Sequence, residues 1–495
     1  MTSAMSRAQT NALGHLLRLT PVIGDLGGLF RDAGHQLYLV GGSVRDALLD
    51  RLGNDLDFTT SARPEQTEKL LRRFASATWD IGRAFGTIGA QKRLPDGSEY
   101  KIEITTFRAD TYQADSRKPA VEYGDTLDGD LRRRDFTVNA MAIDVARPSG
   151  ELPALVDPYG GLDDLADHLL RTPAAPELSF SDDPLRMMRA ARFCSQLLFE
   201  VTPDVRAAMT DMAERITIVS AERVRDELSR LLLTDDPTPG LTLLVSTGLA
   251  AYVLPELPSL RLERDEHNHH KDIYEHTLTV LEQAIALERS RGHGEPDLVV
   301  RLAALLHDIG KPATKRIERG GKVSFHHHDA VGAKLTRRRL RELKYPNDVV
   351  ESVAQLVDGH LRFHGYGGDT DWTDSAVRRY VRDAGDELER LHILTRSDCT
   401  TRNPRKAESL RRAYDELEFR IDELAKQEAL DAQRPELDGT QIMALLGVAP
   451  GPVVGRAYRF LLDKRLEDGP VGEDAAREAL LAWWARQPES GGAGA

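Results

Sequence analysis

Cysteine is nearly absent: Cys194 and Cys399 are the only two in 495 residues. Two cannot build a disulfide framework, and they are too few for a zinc cluster. No unbroken apolar stretch reaches the length that spans a bilayer. The opening MTSAMSRAQTNALGHLLRL has no basic segment followed by an apolar core and a cleavage site, so a cytoplasmic protein with no membrane partner is expected. Internal repeats are missing as well.

What is present is an ordinary globular composition, 41% hydrophobic and 29% charged. The length exceeds what one core can serve, so about three domains are the starting expectation. A net charge of −13 argues mildly against nucleic-acid binding. Phosphate, however, is held by local patches, and basic clusters occur at Arg132–Arg134, from Arg337 and from Thr401. Any one of them alone reads as a solvated helix face.

Periodicity changes along the chain. Residues 1–34 read as helix, QLYLV and DLDFTT as short strands, and PEQTEKLLRRF as a helix with Pro64 near its start. GTIGAQKR and YKIEITTFRAD alternate as a hairpin around PDGS. The Pro- and Gly-rich ARPSGELPALVDPYGG marks a boundary near residue 150, and almost only helical periodicity follows. A second boundary falls near LPELPSLRLERDEHNHH, ahead of a histidine-rich helical block. Leu410, Tyr414, Leu417, Ile421 and Leu424 have heptad spacing over too short a run for a coiled coil, and a packed helix is expected.

LVGGSVRDALLDRLGNDLDF, residues 39–58, concentrates the chemistry. Asp55 and Asp57 are two apart on a strand, so their carboxylates face one way while Leu56 and Phe58 face the core. Two like charges side by side repel, and a pair of Mg²⁺ ions with substrate phosphates would supply a reason to keep them. Gly41 and Gly42 allow close backbone approach, Ser43 reads as an N-cap, and Arg45 in the first helical turn could grip phosphate oxygens. A solvated edge strand beside a tight turn would explain the glycines but not the facing aspartates.

Further motifs follow in order: RRRDFTVNAMA (132–142), DPYGGLDDL (157–165), SDDPLRMMRAARF (181–193) and ERVRDEL (222–228). Over at least residues 37–230 the series resembles bacterial-type (class II) CCA-adding tRNA nucleotidyltransferases, to which bacterial poly(A) polymerases are closely related. The resemblance implies an α+β fold: a small mixed-sheet, DNA polymerase β-type nucleotidyltransferase head (1–150), then an all-α neck that recognises the base (151–260). It places metal-binding carboxylates at Asp55 and Asp57, triphosphate contacts at Gly42, Arg45 and Arg134, and a third carboxylate at Glu103. Asp183 and Arg186 match the pair that reads the incoming base, with Arg189 and Arg192 nearby. The family usually has Glu-Asp where this chain has Asp182-Asp183, which leaves the reading pair intact.

The residues support that reading independently. Asp183, Arg186 and Arg189 recur at spacing three, as if on one helix face. A carboxylate accepts from an exocyclic amine and a guanidinium donates to a ring nitrogen, a pattern that fits cytosine and adenine and clashes with uracil and guanine.

In the histidine block, DIYEHTLTV supplies His276, LAALLHDIGKPATK supplies His307 and Asp308, and LTRSDCTTRN supplies Asp398. A lone histidine on an apolar helix is usually a satisfied core residue; a His-Asp pair echoed by others shifts the balance to metal binding. The pattern resembles HD-type phosphohydrolase domains, with His328 and His360 matching the extra histidines of two-metal forms. It implies an HD domain (261–425) with a second divalent metal, followed by a helical tail (426–495) ending in a disordered PESGGAGA. The expected activity is Mg²⁺-dependent addition of CCA to tRNA from CTP and ATP. A poly(A) polymerase, or an enzyme adding only CC or only A, is the alternative. An HD phosphohydrolase with an accessory head is the alternative from another class.

Overall fold

The computed structural model describes residues 21–82, 86–107, 126–148, 154–261, 272–292, 294–319, 323–365, 372–400, 403–432, 434–468 and 471–487. The first twenty residues and the PESGGAGA end, read from sequence as helix and as disordered, lie outside the described residues.

The head is built on one seven-stranded mixed sheet. Its strands are β1 (Leu37–Val40), β2 (Asp55–Thr60), β3 (Ala77–Gly82), β4 (Thr87–Arg93), β5 (Glu99–Thr106), β6 (Ala142–Asp144) and β7 (Ala154–Val156). The spatial order is β3-β4-β5-β2-β1-β6-β7, with β2 and β5 parallel and every other pair antiparallel. Alternation gives one face to Leu56, Phe58, Ile88, Ala90, Ile102 and Ile104, all buried. Helix Pro64–Phe74 packs on β3, β4 and β5 and buries Leu71 there. The opposite face carries the acidic residues of β2.

Two elements differ from the sequence reading. Strand β3, ATWDIG, carries no strand signal in the sequence, because its Ala77 and Trp79 are exposed and leave no apolar alternation. Strand β7 pairs with β6, so the head sheet runs past residue 150. The prolines and glycines there flank a short edge strand.

Beyond the head the described residues are almost entirely helical. Leu185–Leu197 packs against both Ala221–Leu232 and Thr238–Ser246. Gly240 makes the second crossing possible: a Cβ there would lie 2.3 Å from the Ala191 carbonyl oxygen. Helices Ile273–Ser290, Leu298–Leu306, His328–Glu342, Asn347–Gly359 and Leu388–Ser397 follow.

The chain divides into two compact units. One comprises Met1–His360 with Arg390–Asp398, and the other Leu361–Glu389 with Cys399–Ala495. In the second, Tyr414 and Leu417 are buried in helix Pro404–Ala432, the packed helix expected from their spacing. Helices Gly439–Leu446, Pro452–Asp468 and Glu473–Trp484 share a small core of Ile442, Ala457, Leu461, Ala476 and Leu480.

Candidate active site and metal cluster

β1 pairs with β2 only from Phe58 to Thr60, so Asp55–Asp57 projects past the end of β1. Ser43 completes the edge there. Its hydroxyl donates to the Asp55 carbonyl at 3.3 Å and accepts from the Asp57 N–H at 2.9 Å. Ser43 is therefore a substitute strand neighbour; the N-cap position is held by Gly41, whose φ of 69° is left-handed. On the other side β2 lies in register with β5, Asp55 beside Lys101 and Asp57 beside Glu103. Three carboxylates thus share one open face, with Lys101 paired to Glu103 at 2.6 Å. Exclusion of water around Asp57 raises its pKa; Arg134 opposes the rise, and Glu103 and Asp55 add to it. This donor set, hard oxygens that repel one another and reach solvent, fits Mg²⁺ that also takes oxygens from a substrate.

Arg134 stands over this site. Its Nη1 is so close to Gly41 that a Cβ there would lie 2.9 Å away, and Nη2 donates to Asp130 at 3.1 Å. Its Nε is buried without a hydrogen-bond partner, an unspent donor beside the carboxylates. Arg45 differs. It is buried, gives Nε and Nη2 to Asp46 at 3.0 and 2.9 Å, and gives Nη1 to Asn139 at 2.8 Å. Gly42 begins a helix of only 7 residues, too short for a strong dipole.

Asp183 and Arg186 do not lie on one helix face. Asp183 is extended (φ −143°, ψ 100°), ends helix Pro176–Asp182, and accepts from the Leu185 N–H at 3.1 Å. Helix Leu185–Leu197 begins beyond Pro184. The proline forces the break, because the residue before it is driven out of helical geometry. Arg186 donates to Ser179 Oγ at 2.8 Å and to the Arg133 carbonyl at 2.5 Å. Arg133 adjoins Arg134, so one peptide step links the Arg186 contact to the arginine beside the carboxylates.

Arg189 and Arg192 point inward. Arg189 grips Asp135 through Nε at 2.8 Å and Nη2 at 2.5 Å, and Arg192 Nε donates to buried Glu227 at 2.7 Å. Burial works against ionisation of Asp135, yet Arg189 and Asn139 hold its carboxyl well below the usual range.

The histidine cluster forms within the first unit. His276 Nε2 lies 3.0 Å from Asp398 and 3.5 Å from Asp308, and His307 Nε2 lies 3.3 Å from Asp308. On the other side of Asp308, His328 Nε2 is 3.4 Å from Oδ1 and 3.3 Å from His360 Nε2. Asp308 therefore bridges two groups, His276-His307-Asp308 and Asp308-His328-His360, each with the spacing of a metal site.

Each buried histidine is oriented from behind. Nδ1 of His307, His328 and His360 lies 2.8, 2.8 and 2.6 Å from the carbonyl three residues earlier. A carbonyl only accepts, so Nδ1 carries the proton and Nε2 offers its lone pair inward. Burial, with His307 adding, pushes His360 down to about 4, which keeps its ring neutral.

Several contributors carry no sequence signal of their own. Ser43 is legible in the sequence as an N-cap but bonds the edge of β2 instead, while Gly41 takes the cap and allows the close approach of Arg134. Gly310 lets the loop after Asp308 press on helix His328–Glu342, since a Cβ there would lie 2.0 Å from the His328 carbonyl oxygen. Lys311 Nζ contacts Asp308 at 2.6 Å. Arg223 Nη2 donates to Asp183 at 2.7 Å. Arg223 and Glu227 lie in ERVRDEL, a motif whose charges alone read as a helix surface.

A mixed-sheet head bearing paired strand aspartates, joined through helices to a His-Asp cluster, defines a nucleotidyltransferase with an appended HD domain. Comparison with known proteins agrees. Residues 37–171 match the poly A polymerase head domain, 198–260 the probable RNA and SrmB-binding site of polymerase A, and 273–403 the HD domain. An A-adding tRNA nucleotidyltransferase of Deinococcus radiodurans is 38% identical over 73% of this chain and 80% of its own length. A CC-adding tRNA nucleotidyltransferase of Thermus thermophilus is 32% identical over 90% of this chain and 93% of its own. A CCA-adding enzyme of Streptococcus gordonii is 39% identical over 47% of this chain and 55% of its own. Among solved structures, the Bacillus stearothermophilus CCA-adding enzyme in complex with CTP superposes with a TM-score of 0.57 at 25% identity, covering 93% of this chain and 96% of that one. The chain belongs to the tRNA nucleotidyltransferase and poly(A) polymerase family.

Proposed function

We propose that this protein is a cytoplasmic enzyme that adds CCA to the 3′ end of tRNA from CTP and ATP, with Mg²⁺ as cofactor and release of pyrophosphate. The observation that carries the reading is the register of β2 and β5, which sets Asp55, Asp57 and Glu103 on one open face beside the unpaired Nε of Arg134. Among the described residues no helix is long and apolar enough to cross a membrane. Asp55 and Asp57 would hold Mg²⁺, which when bound neutralises phosphate charge and favours the ionised 3′-hydroxyl. The hydroxyl attacks the α-phosphate in line, and Arg134 offers its free donor to the triphosphate. Gly42 gives the backbone room for that triphosphate, while Arg45 braces the turn through Asp46 and Asn139.

Asp183 accepts the exocyclic amine of cytosine or adenine, and Arg186 donates to the adjoining ring nitrogen. Uracil and guanine present a carbonyl and an N–H instead, leaving both side chains mismatched. Arg189 and Arg192 serve from behind, fixing the helix through Asp135 and Glu227. The test is extension of a tRNA lacking its last three nucleotides, with the four NTPs singly and then CTP with ATP. Entry of C and A, refusal of U and G, and a stop after CCA are expected; unlimited A addition to any RNA would make it a poly(A) polymerase.

A second reading, partial addition, is favoured by the two relatives aligned over most of this chain, which are named as A-adding and CC-adding. The same assay distinguishes it: growth would stop after CC, or would begin only from a tRNA already ending in CC.

A separate activity, metal-dependent phosphoester hydrolysis, fits the cluster of His276, His307, Asp308 and Asp398 with its inward-facing nitrogens. Asp308→Ala should remove hydrolysis of bis(p-nitrophenyl) phosphate and spare nucleotide addition. Absence of hydrolysis with every common divalent metal would make the domain structural.

A further inference from the structure

Helix Ala221–Leu232 is gripped from two sides. Toward the neck, Arg223 holds Asp183 at 2.7 Å, and buried Glu227 holds Arg192 at 2.7 Å and faces Arg189 at 3.6 Å. One helix thus fixes three of the four side chains gathered around base reading.

Toward the histidine block, the same helix meets three more contacts. Arg225 Nη1 donates to the Lys344 carbonyl at 2.6 Å, and Ser229 Oγ lies 2.9 Å from Tyr345 Oη. Arg301 Nη1 donates to the carbonyls of Leu232 and Thr234 at 2.6 and 2.7 Å, groups that a helix end leaves without partners. Arg301 is 1% exposed, and its Nε binds Glu288, itself 2% exposed, at 3.1 Å. Burying such a pair is costly, and apolar packing would stabilise the junction as well. What a planar guanidinium adds is a fixed direction and register.

These contacts come from the elements that carry the metal-type cluster. Arg301 lies in the helix that runs into His307 and Asp308, and Lys344 and Tyr345 follow the helix that begins at His328. We propose that Arg301 and Tyr345 are positioning residues for base selection, holding helix Ala221–Leu232 in register and, through Arg223 and Glu227, setting the geometry of Asp183 and its neighbours. The HD segment is then part of nucleotide selection whether or not it hydrolyses anything. The inference rests on the assignment of Asp183 and Arg186 as base readers.

The experiment measures single incorporation of CTP, ATP and UTP on tRNA lacking CCA, with kcat, KM and Tm. Its variants are Tyr345→Phe, Arg301→Lys and Arg301→Met combined with Glu288→Leu. The last removes both buried charges together, which guards against loss of the fold. The UTP-to-CTP ratio of kcat/KM should rise about three- to tenfold, mainly through a higher KM for CTP, with kcat for CTP changed by less than about twofold. A lowered Tm with an unchanged ratio in every variant overturns the proposal and leaves the contacts as structural support. Asp183→Ala is run alongside to separate the two assignments. If it shifts base choice while the clamp variants do not, the clamp is wrong. If only the clamp variants shift it, Asp183 is not the reader and the proposed route through Arg223 and Asp183 is overturned as well.

Discussion

The two candidate metal sites are built on opposite principles. In the head, Asp55 and Asp57 reach solvent, repel each other and Glu103, and have little behind them beyond the Ser43 hydroxyl. In the HD segment, His307, Asp308, His328 and His360 are buried, and each histidine is oriented by the backbone carbonyl three residues before it. An open site of mutually repelling oxygens is completed by the substrate that brings its own oxygens. A closed site of oriented nitrogens is complete beforehand. Metal should therefore arrive with the nucleotide in one and reside permanently in the other.

The largest effect expected is at Asp57. Asp57→Ala should lower nucleotide addition by about a thousandfold while tRNA affinity is kept, as measured by single-turnover extension and filter binding. Near-normal turnover in Mg²⁺ would end the metal reading of this face. Asp57→Asn should also raise the Tm of metal-free protein at neutral pH. A raised carboxyl pKa favours the fold only below the unfolded value and opposes it once the group ionises, so removing the charge relieves that opposition.

The second prediction concerns the buried pair that supports the neck. Asp135→Asn leaves Arg189 with only the longer contact to Glu227 at 3.6 Å and should cost about 3 kcal/mol in denaturant unfolding. The depressed carboxyl contributes stability above its unfolded pKa, which is lost as pH falls. The wild type should therefore weaken below about pH 4, and the variant should lack that part of the slope.

Metal content separates the two sites directly. After dialysis against a mild chelator, elemental analysis should find metal that disappears in Asp308→Ala and is unchanged in Asp57→Ala. Equal retention by both variants would contradict the contrast drawn between an open and a closed site.

The smallest effect belongs to Ser43. Ser43→Ala removes two hydrogen bonds at the edge of β2 and should cost about 1 kcal/mol of stability, with a modest rise in KM for CTP. A change in kcat comparable to that of Asp57→Ala would show that the hydroxyl does more than hold the strand.

Much of this was legible in the chain. Asp55 and Asp57 are close in sequence, and strand alternation alone puts their carboxylates together. His307-Asp308 announces itself by interrupting the apolar run LAALL. Glu103 could be named only by resemblance, because its place beside Asp57 depends on a parallel pairing across the sheet. Long-range pairing also hid the partners of Arg189 and Arg192, which in sequence stand beside the base-reading pair and in the fold are held by Asp135 and Glu227. The break before Pro184 was available from the proline itself, yet the regular spacing of Asp183, Arg186 and Arg189 outweighed it. Strand β7 was lost because three residues between prolines and glycines look like linker.

The topology of the head also has a consequence for its synthesis. β1 is flanked by β2, which follows it closely, and by β6, which leaves the ribosome about a hundred residues later. β5 must likewise insert beside β2 after the hairpin partner β4 has formed. A nascent chain that stops short of residue 144 would carry Asp55, Asp57 and Glu103 on a sheet with β1 as an open edge. Such an edge invites pairing with other chains. Truncations placed between Thr106 and Ala142 should therefore aggregate more than those placed after Val156, in which β6 covers β1.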